Sequence, residues 1–242
     1  MQNVIVWDLE TVPDFELIAA TQKISILKAR EFSKSEFPRL AAHKIVCIGA
    51  VVCSRKTGGW EVESIGAPSI AERTEMELIK SFFKKIEDTK PKLITFNGGS
   101  FDFPVLRYRA MANKIGSQIF QTKNYFSRYT EDALDLCDVL ASYDNRSKMS
   151  LDYICRAMGL AGKIGSISGS DVEAYVSSGR IHEVAGYCES DVVNTFRLWL
   201  RFELFRGSLS VAEFEFSENN LKNFVMKRMD SKSHLVELVA SS

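Results

Sequence analysis

Asp8 and Glu10 stand two residues apart at the close of the apolar run Asn3-Val4-Ile5-Val6-Trp7. Residues two apart in an extended strand project to the same side, so a buried central strand here aims both carboxylates into one site. Asp102 follows Lys92-Leu93-Ile94-Thr95-Phe96, a short apolar strand that runs into the turn Asn97-Gly98-Gly99. Asp191 lies four residues after Tyr187 in Ile181 to Phe202, where Ala185, Cys188, Val192, Phe196 and Trp199 recur at helical spacing. Positions four apart share a helix face, which sets phenol and carboxylate side by side at the edge of the apolar stripe. Four hard, anionic oxygen ligands suit divalent cations. A pair of such cations about 3.5 to 4 Å apart clamps the attacking and leaving oxygens of an in-line phosphoryl displacement.

Each fragment alone is short enough to arise by chance; their order, and the elements they close, carry the reading. Asp102 also has a second expected role, as N-cap of a helix from about Pro104 to Asn113.

Taken together, Asp8-Leu9-Glu10-Thr11, Asn97-Gly98-Gly99-Ser100-Phe101-Asp102 and Tyr187-Cys188-Glu189-Ser190-Asp191 resemble the three motifs of the DEDD 3′-5′ exonuclease superfamily, tyrosine subtype (DEDDy). The likeness is strongest to the proofreading exonuclease domain of family B DNA polymerases and its stand-alone bacterial relatives, and spans roughly Asn3 to Arg201. The histidine subtype places its His five residues before the last Asp, where this chain has Gly186.

The resemblance implies an α/β, ribonuclease H-like fold, a mixed β-sheet flanked by helices. It implies an exonuclease domain over residues 1–205 with a C-terminal helical extension, 206–242, packed on it. Two divalent ions, Mg2+ or Mn2+, are expected on Asp8, Glu10, Asp102 and Asp191. Asp8 would bridge both, Glu10 and Asp191 would complete one shell, and Asp102 would hold the second ion directly or through water. Tyr187 would orient the attacking water. Leu9, Thr11, Asn97 and Phe101 would contact the 3′-terminal nucleotide, Phe101 by stacking. The implied substrates are 3′ ends of single-stranded or frayed nucleic acid, DNA ahead of RNA, cut to nucleoside 5′-monophosphates.

Two other classes fit parts of the pattern. An Asp after a strand also opens the first motif of haloacid-dehalogenase-type phosphatases, but their second Asp is Glu10 here and they give Tyr187 and Asp191 no task. A non-catalytic nucleic-acid-binding module is the other; the full ligand set counts against it.

Composition narrows the choice further. With 242 residues and 45% apolar content the chain suits one α/β domain. Thirty-one basic and thirty-one acidic residues leave no net charge, hence no basic footprint for tight duplex binding. Substrate capture must be local, with Arg107, Arg109, Lys148, Arg156 and Lys163 as candidate phosphate contacts. Five cysteines form no C-x-x-C pair, which points to reduced thiols and a cytoplasmic setting. Nothing at the start resembles a cleavable signal, and no apolar run approaches the about 18 residues of a membrane span. His43, His182 and His234 are scattered and read as surface or boundary residues without zinc spacing.

The positioning elements follow from periodicity. Pro13 to about Phe32 reads as helical, with Phe15, Ile18, Ala19, Ile26 and Ala29 available for burial. Lys44 to Ser54 and Trp60 to Ile65 read as a hairpin around Thr57-Gly58-Gly59. Thr74 with Glu77 forms a capping box before the stripe Leu78, Ile79, Phe82, Phe83 and Ile86. A short strand is expected within Glu131 to Leu140, with Asp135 in a supporting role. Ser150 caps a helix ended by Gly159, the Gly- and Ser-rich stretch from Leu160 to Ser170 forms a loop or rim, and a last helix is expected over Asn219 to Met229.

Overall fold

Alternation along the first strand sets up both faces of the molecule. In the computed structural model, which describes residues 2–165 and 167–240, β1 runs from Asn3 to Pro13. Val4 and Val6 bury on one side of it, and Ile5, Trp7 and Leu9 on the other. The chain continues through α1 (Phe15–Gln22), α2 (Ile26–Ser35), β2 (His43–Lys56), β3 (Gly59–Gly66), α3 (Glu75–Thr89), β4 (Lys92–Thr95) and α4 (Asp102–Ala112). Then come β5 (Ala133–Asp135), α5 (Leu136–Leu140), α6 (Leu151–Ala157), α7 (Val172–Ser177), α8 (Ile181–Phe205), α9 (Val211–Met226) and α10 (Met229–Ala240).

The strands form one mixed sheet in the order β3-β2-β1-β4-β5. β1 pairs antiparallel with β2 and parallel with β4, so it is the seam between a hairpin half and a parallel half. The stripe of α3 packs with α4 on the Ile5, Trp7 and Leu9 side, where the Trp7 ring lies 4.9 Å from Phe82 and 5.0 Å from Phe103. Helices α8, α9 and α10 bury Phe196, Trp199, Leu221, Phe224, Leu235 and Leu238 on the Val4 and Val6 side. No helix among the described residues is long and apolar enough to cross a membrane, and all five cysteines are buried and free.

Several expectations are corrected. The helical stretch read over Pro13 to Phe32 is divided into two helices: Lys23 turns left-handed at the end of α1, and the Ser25 hydroxyl caps α2 by accepting from the Lys28 amide. The break rotates Ile26 outward, leaving it half exposed. The last helix begins at Val211, and a second follows it. Its polar face was the obstacle to reading it: Ser217 Oγ accepts from Trp60 N at 2.9 Å and Asn220 Oδ1 from Val62 N at 2.8 Å, so α9 satisfies the open edge of β3. β1 does not stop at Glu10; its pairing slips between Glu10 and Thr11 and continues to Pro13.

Helix α8 is braced from behind by α10. The Glu189 carboxylate is buried between Lys232 and His234, with His234 Nε2 at 2.9 Å. Burial alone would raise its pKa, but the hydrogen bonds from His234 and Lys232 hold it below the usual carboxylate range.

In front, α8 presses on the sheet at Gly49, the residue paired with Asp8. A Cβ there would lie 2.6 Å from Cys188 Sγ and 3.2 Å from the Cys188 carbonyl oxygen. Gly49→Ala is therefore expected to push α8 off β2, lowering stability by about 1–3 kcal/mol. Urea unfolding of the variant beside the parent reads the loss.

Candidate active site

β1 and β4 run parallel, and β4 stops at Thr95, just past the Val6–Ile94 pair, while β1 runs on to Pro13, which opens a crevice beyond the carboxyl end of β4. Asp8 and Glu10 continue the Val4 and Val6 row into that crevice, beneath α8. From above, α8 brings Tyr187, Cys188 and Asp191. From the side, α4 begins at Asp102, whose Oδ1 accepts the Leu9 amide at 3.2 Å and whose carboxyl shares a hydrogen bond with that of Asp8. The Tyr187 hydroxyl donates to Asp191. Six side chains from three distant stretches thus meet in one cleft.

Asp102 is not the N-cap of α4. That position is Phe101, no side chain caps it, and the Asp102 carboxylate reaches back to β1 instead.

The electrostatics are those of crowded, desolvated acids. Burial first, then the charges of Asp102, Glu10 and Asp191, hold the Asp8 carboxyl well above its ordinary range. Glu10, 7% exposed, is raised in the same way by burial, Asp191 and Asp102, with Lys163 pulling the other way. Asp102, 4% exposed, is pushed to about 7 by burial against the opposing hydrogen bond from Leu9. Asp191 is pushed to about 6, again mainly by burial, with Tyr187 and Lys163 opposing. Burial and the neighbouring carboxylates push the Tyr187 phenol far up, so it stays protonated.

Four clustered carboxylates, opposed among the described residues by the ammonium of Lys163, are a donor set in want of positive charge. Their oxygens are hard and anionic, the type that magnesium and manganese prefer. The Cys188 sulfur sits within 4.8 Å of oxygens of Asp8 and Glu10, but its thiol is raised well above its ordinary value by a hydrogen bond with Cys47 and by burial. It remains an S–H and donates weakly toward Asp8, 3.7 Å from Oδ2 and 3.8 Å from the carbonyl oxygen. Cys188 buttresses a carboxylate rather than adding a soft ligand.

The remaining candidates separate by environment. Leu9 is buried in the core, so its side chain is committed to packing and only its backbone borders the cleft. Thr11 is tied to His43, which is buried and not at the surface as its scatter in the sequence suggested. The Pro38 carbonyl can only accept, so His43 Nε2 carries the proton and Nδ1 accepts from the Thr11 hydroxyl at 2.9 Å. Burial keeps that ring neutral. Phe101 stacks edge-on against His43 at 5.1 Å and lies 5.8 Å from Phe37, an exposed ring that no sequence pattern marked.

Asn97 is left-handed (φ 64°), its amide donating to Asp135 Oδ1 at 2.7 Å while Gly99 N donates to Asp135 Oδ2 at 2.8 Å. Asp135 therefore organises the Asn97-Gly98-Gly99 turn. A Cβ on Gly98 would meet Thr95 Cβ at 2.5 Å, so the turn lies flat on β4.

Of the five candidate phosphate contacts, Lys163 reaches the site: its ammonium lies 4.6 Å above the Tyr187 ring. Arg109 is gripped bidentately by Glu75 at 2.6 and 2.7 Å, and Arg156 by Asp152 and the Lys163 carbonyl, so both are occupied in holding the fold. Lys148 binds Asp138, Asn97 and Ser100, and Arg107 lies over Phe126. An open cleft of about 760 Å³ runs past Tyr187 between Ile164, Gly165 and His234.

Residues 35–241 match the model of a family described as predicted 3′-5′ exonuclease related to the exonuclease domain of PolB. Asp8 and Glu10 precede the matched stretch and owe their place to β1. Among curated proteins none matches the chain. Among solved structures, it superposes on the family B DNA polymerase from the hyperthermophilic archaeon Pyrobaculum calidifontis with a TM-score of 0.57 and 14% identity. The superposition covers 96% of this chain and 29% of that one, so the chain spans under a third of the polymerase. The shared fold is that of a polymerase exonuclease-like, ribonuclease H-type α/β sheet.

Proposed function

Because the chain belongs to the family of predicted 3′-5′ exonucleases related to the exonuclease domain of PolB, we propose that this cleft hydrolyses the terminal phosphodiester of single-stranded or frayed nucleic acid. The products are nucleoside 5′-monophosphates, with DNA taken ahead of RNA. The observation that carries the proposal is the convergence of Asp8, Glu10, Asp102, Asp191 and Tyr187 in the crevice beyond the end of β4. Family membership leaves the phosphatase reading without a footing.

Asp8, Glu10, Asp102 and Asp191 are the residues that would hold two divalent cations, which when bound supply Lewis-acid charge on both sides of the phosphorus. Tyr187 spends its proton on Asp191, and its oxygen is left to accept from a water and aim it. Lys163, over the same ring, offers charge to the phosphate. Phe101 and Phe37 present ring surface to the terminal base. We assign residues 1–205 to the exonuclease domain and 206–242 to an extension that braces α8, and the buried free thiols fit a cytoplasmic setting.

The test is a strand labelled at its 5′ end. With magnesium or manganese it should shorten stepwise from the 3′ end, faster for DNA than for a matched RNA, and remain intact with chelator. Loss of the 5′ label as inorganic phosphate, or an intact strand under every metal, would remove the assignment.

A further inference from the structure

Beyond the cleft, the loop after α5 holds two consecutive residues in left-handed backbone, Ser142 (φ 51°) and Tyr143 (φ 62°), neither of them glycine. Such pairs are costly, and persist where the surroundings over-determine them. Here Ser142 N donates to the Val139 carbonyl at 3.1 Å and Tyr143 N to the Asp138 carbonyl at 2.8 Å. The effect is to present Tyr143 beside Tyr129, ring centroids 5.1 Å apart. Tyr129 is 72% exposed and Tyr143 39% exposed.

The Arg128 guanidinium lies 5.4 Å from the Tyr143 ring centre and 6.0 Å from that of Tyr129. It is fixed from below by the buried Asp138 through bonds of 2.7 and 3.0 Å. The same carboxylate holds Lys148 Nζ at 2.8 Å, and Lys148 in turn binds Asn97 Oδ1 and Ser100 Oγ, both at 3.1 Å. A chain of polar contacts therefore ties the tyrosine pair to the turn that precedes Asp102. Between them lies a cavity of about 230 Å³ lined by Gly99, Ser100, Arg107, Phe126 and Arg128. Arg146, its side chain 93% exposed, stands three residues beyond Tyr143.

Exposed rings interleaved with guanidinium groups, in a chain with no net charge, match one chemistry: unpaired bases that stack on the rings, with phosphates drawn to the cations. We propose that Tyr129, Tyr143 and Arg128 form a stacking platform for the unpaired stretch of substrate strand that leads away from the scissile 3′ end. The proposal rests on the nuclease reading of the cleft for its substrate class. It assigns to the platform a task the cleft does not perform, gripping the strand at a distance from the chemistry.

The experiment pairs Tyr129→Ala/Tyr143→Ala with Tyr129→Phe/Tyr143→Phe, on a dinucleotide and on a strand of about twelve nucleotides. The alanine pair should raise KM for the longer strand about 10- to 100-fold and leave the dinucleotide unaffected. The phenylalanine pair, which keeps the rings, should behave as the parent. Anisotropy of the labelled longer strand with chelator present should show the same loss of binding, which tests the platform even if no hydrolysis is seen. An equal loss on both lengths, or unchanged binding of the longer strand, overturns the proposal.

Discussion

Asp8→Ala and, separately, Asp191→Ala should lower exonuclease turnover by about 10³-fold or more, while circular dichroism stays that of the parent. Both residues sit in the crowd of carboxylates beyond the end of β4, and neither side chain is a partner without which a backbone amide is orphaned. Asp102 differs, because its Oδ1 satisfies the buried Leu9 amide. There Asn is the cleaner substitution, since its carbonyl oxygen can still accept. Tyr187→Phe removes one hydroxyl while leaving all four carboxylates, so a milder loss of about 10- to 100-fold is expected, with metal affinity by calorimetry nearly unchanged. Parent-like activity in either alanine variant would place the reaction elsewhere on the molecule.

The metal-free protein should lose stability as pH rises, by about 1–3 kcal/mol between pH 5 and pH 8. The sign follows from the acids. Asp102 is raised to about 7 and Asp191 to about 6, chiefly by burial, whereas the unfolded chain releases these protons near the ordinary Asp value of about 3.9. Between those values the native state binds more protons than the unfolded one, so unfolding becomes easier with rising pH. The benefit is complete below about pH 4 and is gone once the pH has passed through the folded values.

Divalent cations should reverse this, because they bind the ionised form. At about 100 times the dissociation constant they add about 2.7 kcal/mol, most visibly at pH 8. Thermal melts in chelator and in manganese across this range provide the check. Asp102→Asn should melt higher than the parent in chelator at pH 8. A metal-free protein that is most stable at pH 8 contradicts this account of the cleft.

Sequence carried the strand and helix on which the acids stand because both are strongly periodic. Val4, Val6, Asp8 and Glu10 keep one parity, and Tyr187 and Asp191 keep helical spacing beside a buried stripe. What it did not carry are features set by partners distant in the chain. His43 is buried because Thr11, Pro38 and Phe101 surround it, none of which is periodic with it. α9 is polar where it meets the edge of β3, so its burial left no apolar signature. Asp102 looked like a cap because Asp before Pro usually is one, and only the return of β4 alongside β1 shows the Leu9 amide as its partner. The pairing of Tyr143, in the loop after α5, with Tyr129 depends on backbone angles that side-chain identity would have argued against.

The ion pair at Glu189 ties the fate of the cleft to the tail of the chain. Glu189 is two residues from both Tyr187 and Asp191, and its counter-charges come from Lys232 and His234, more than forty positions downstream. A protease that clipped the polypeptide just before α10 would touch none of the proposed catalytic groups, yet it would strand a buried anion inside the helix that carries Tyr187 and Asp191. Silencing the proposed activity thus needs no access to the cleft itself.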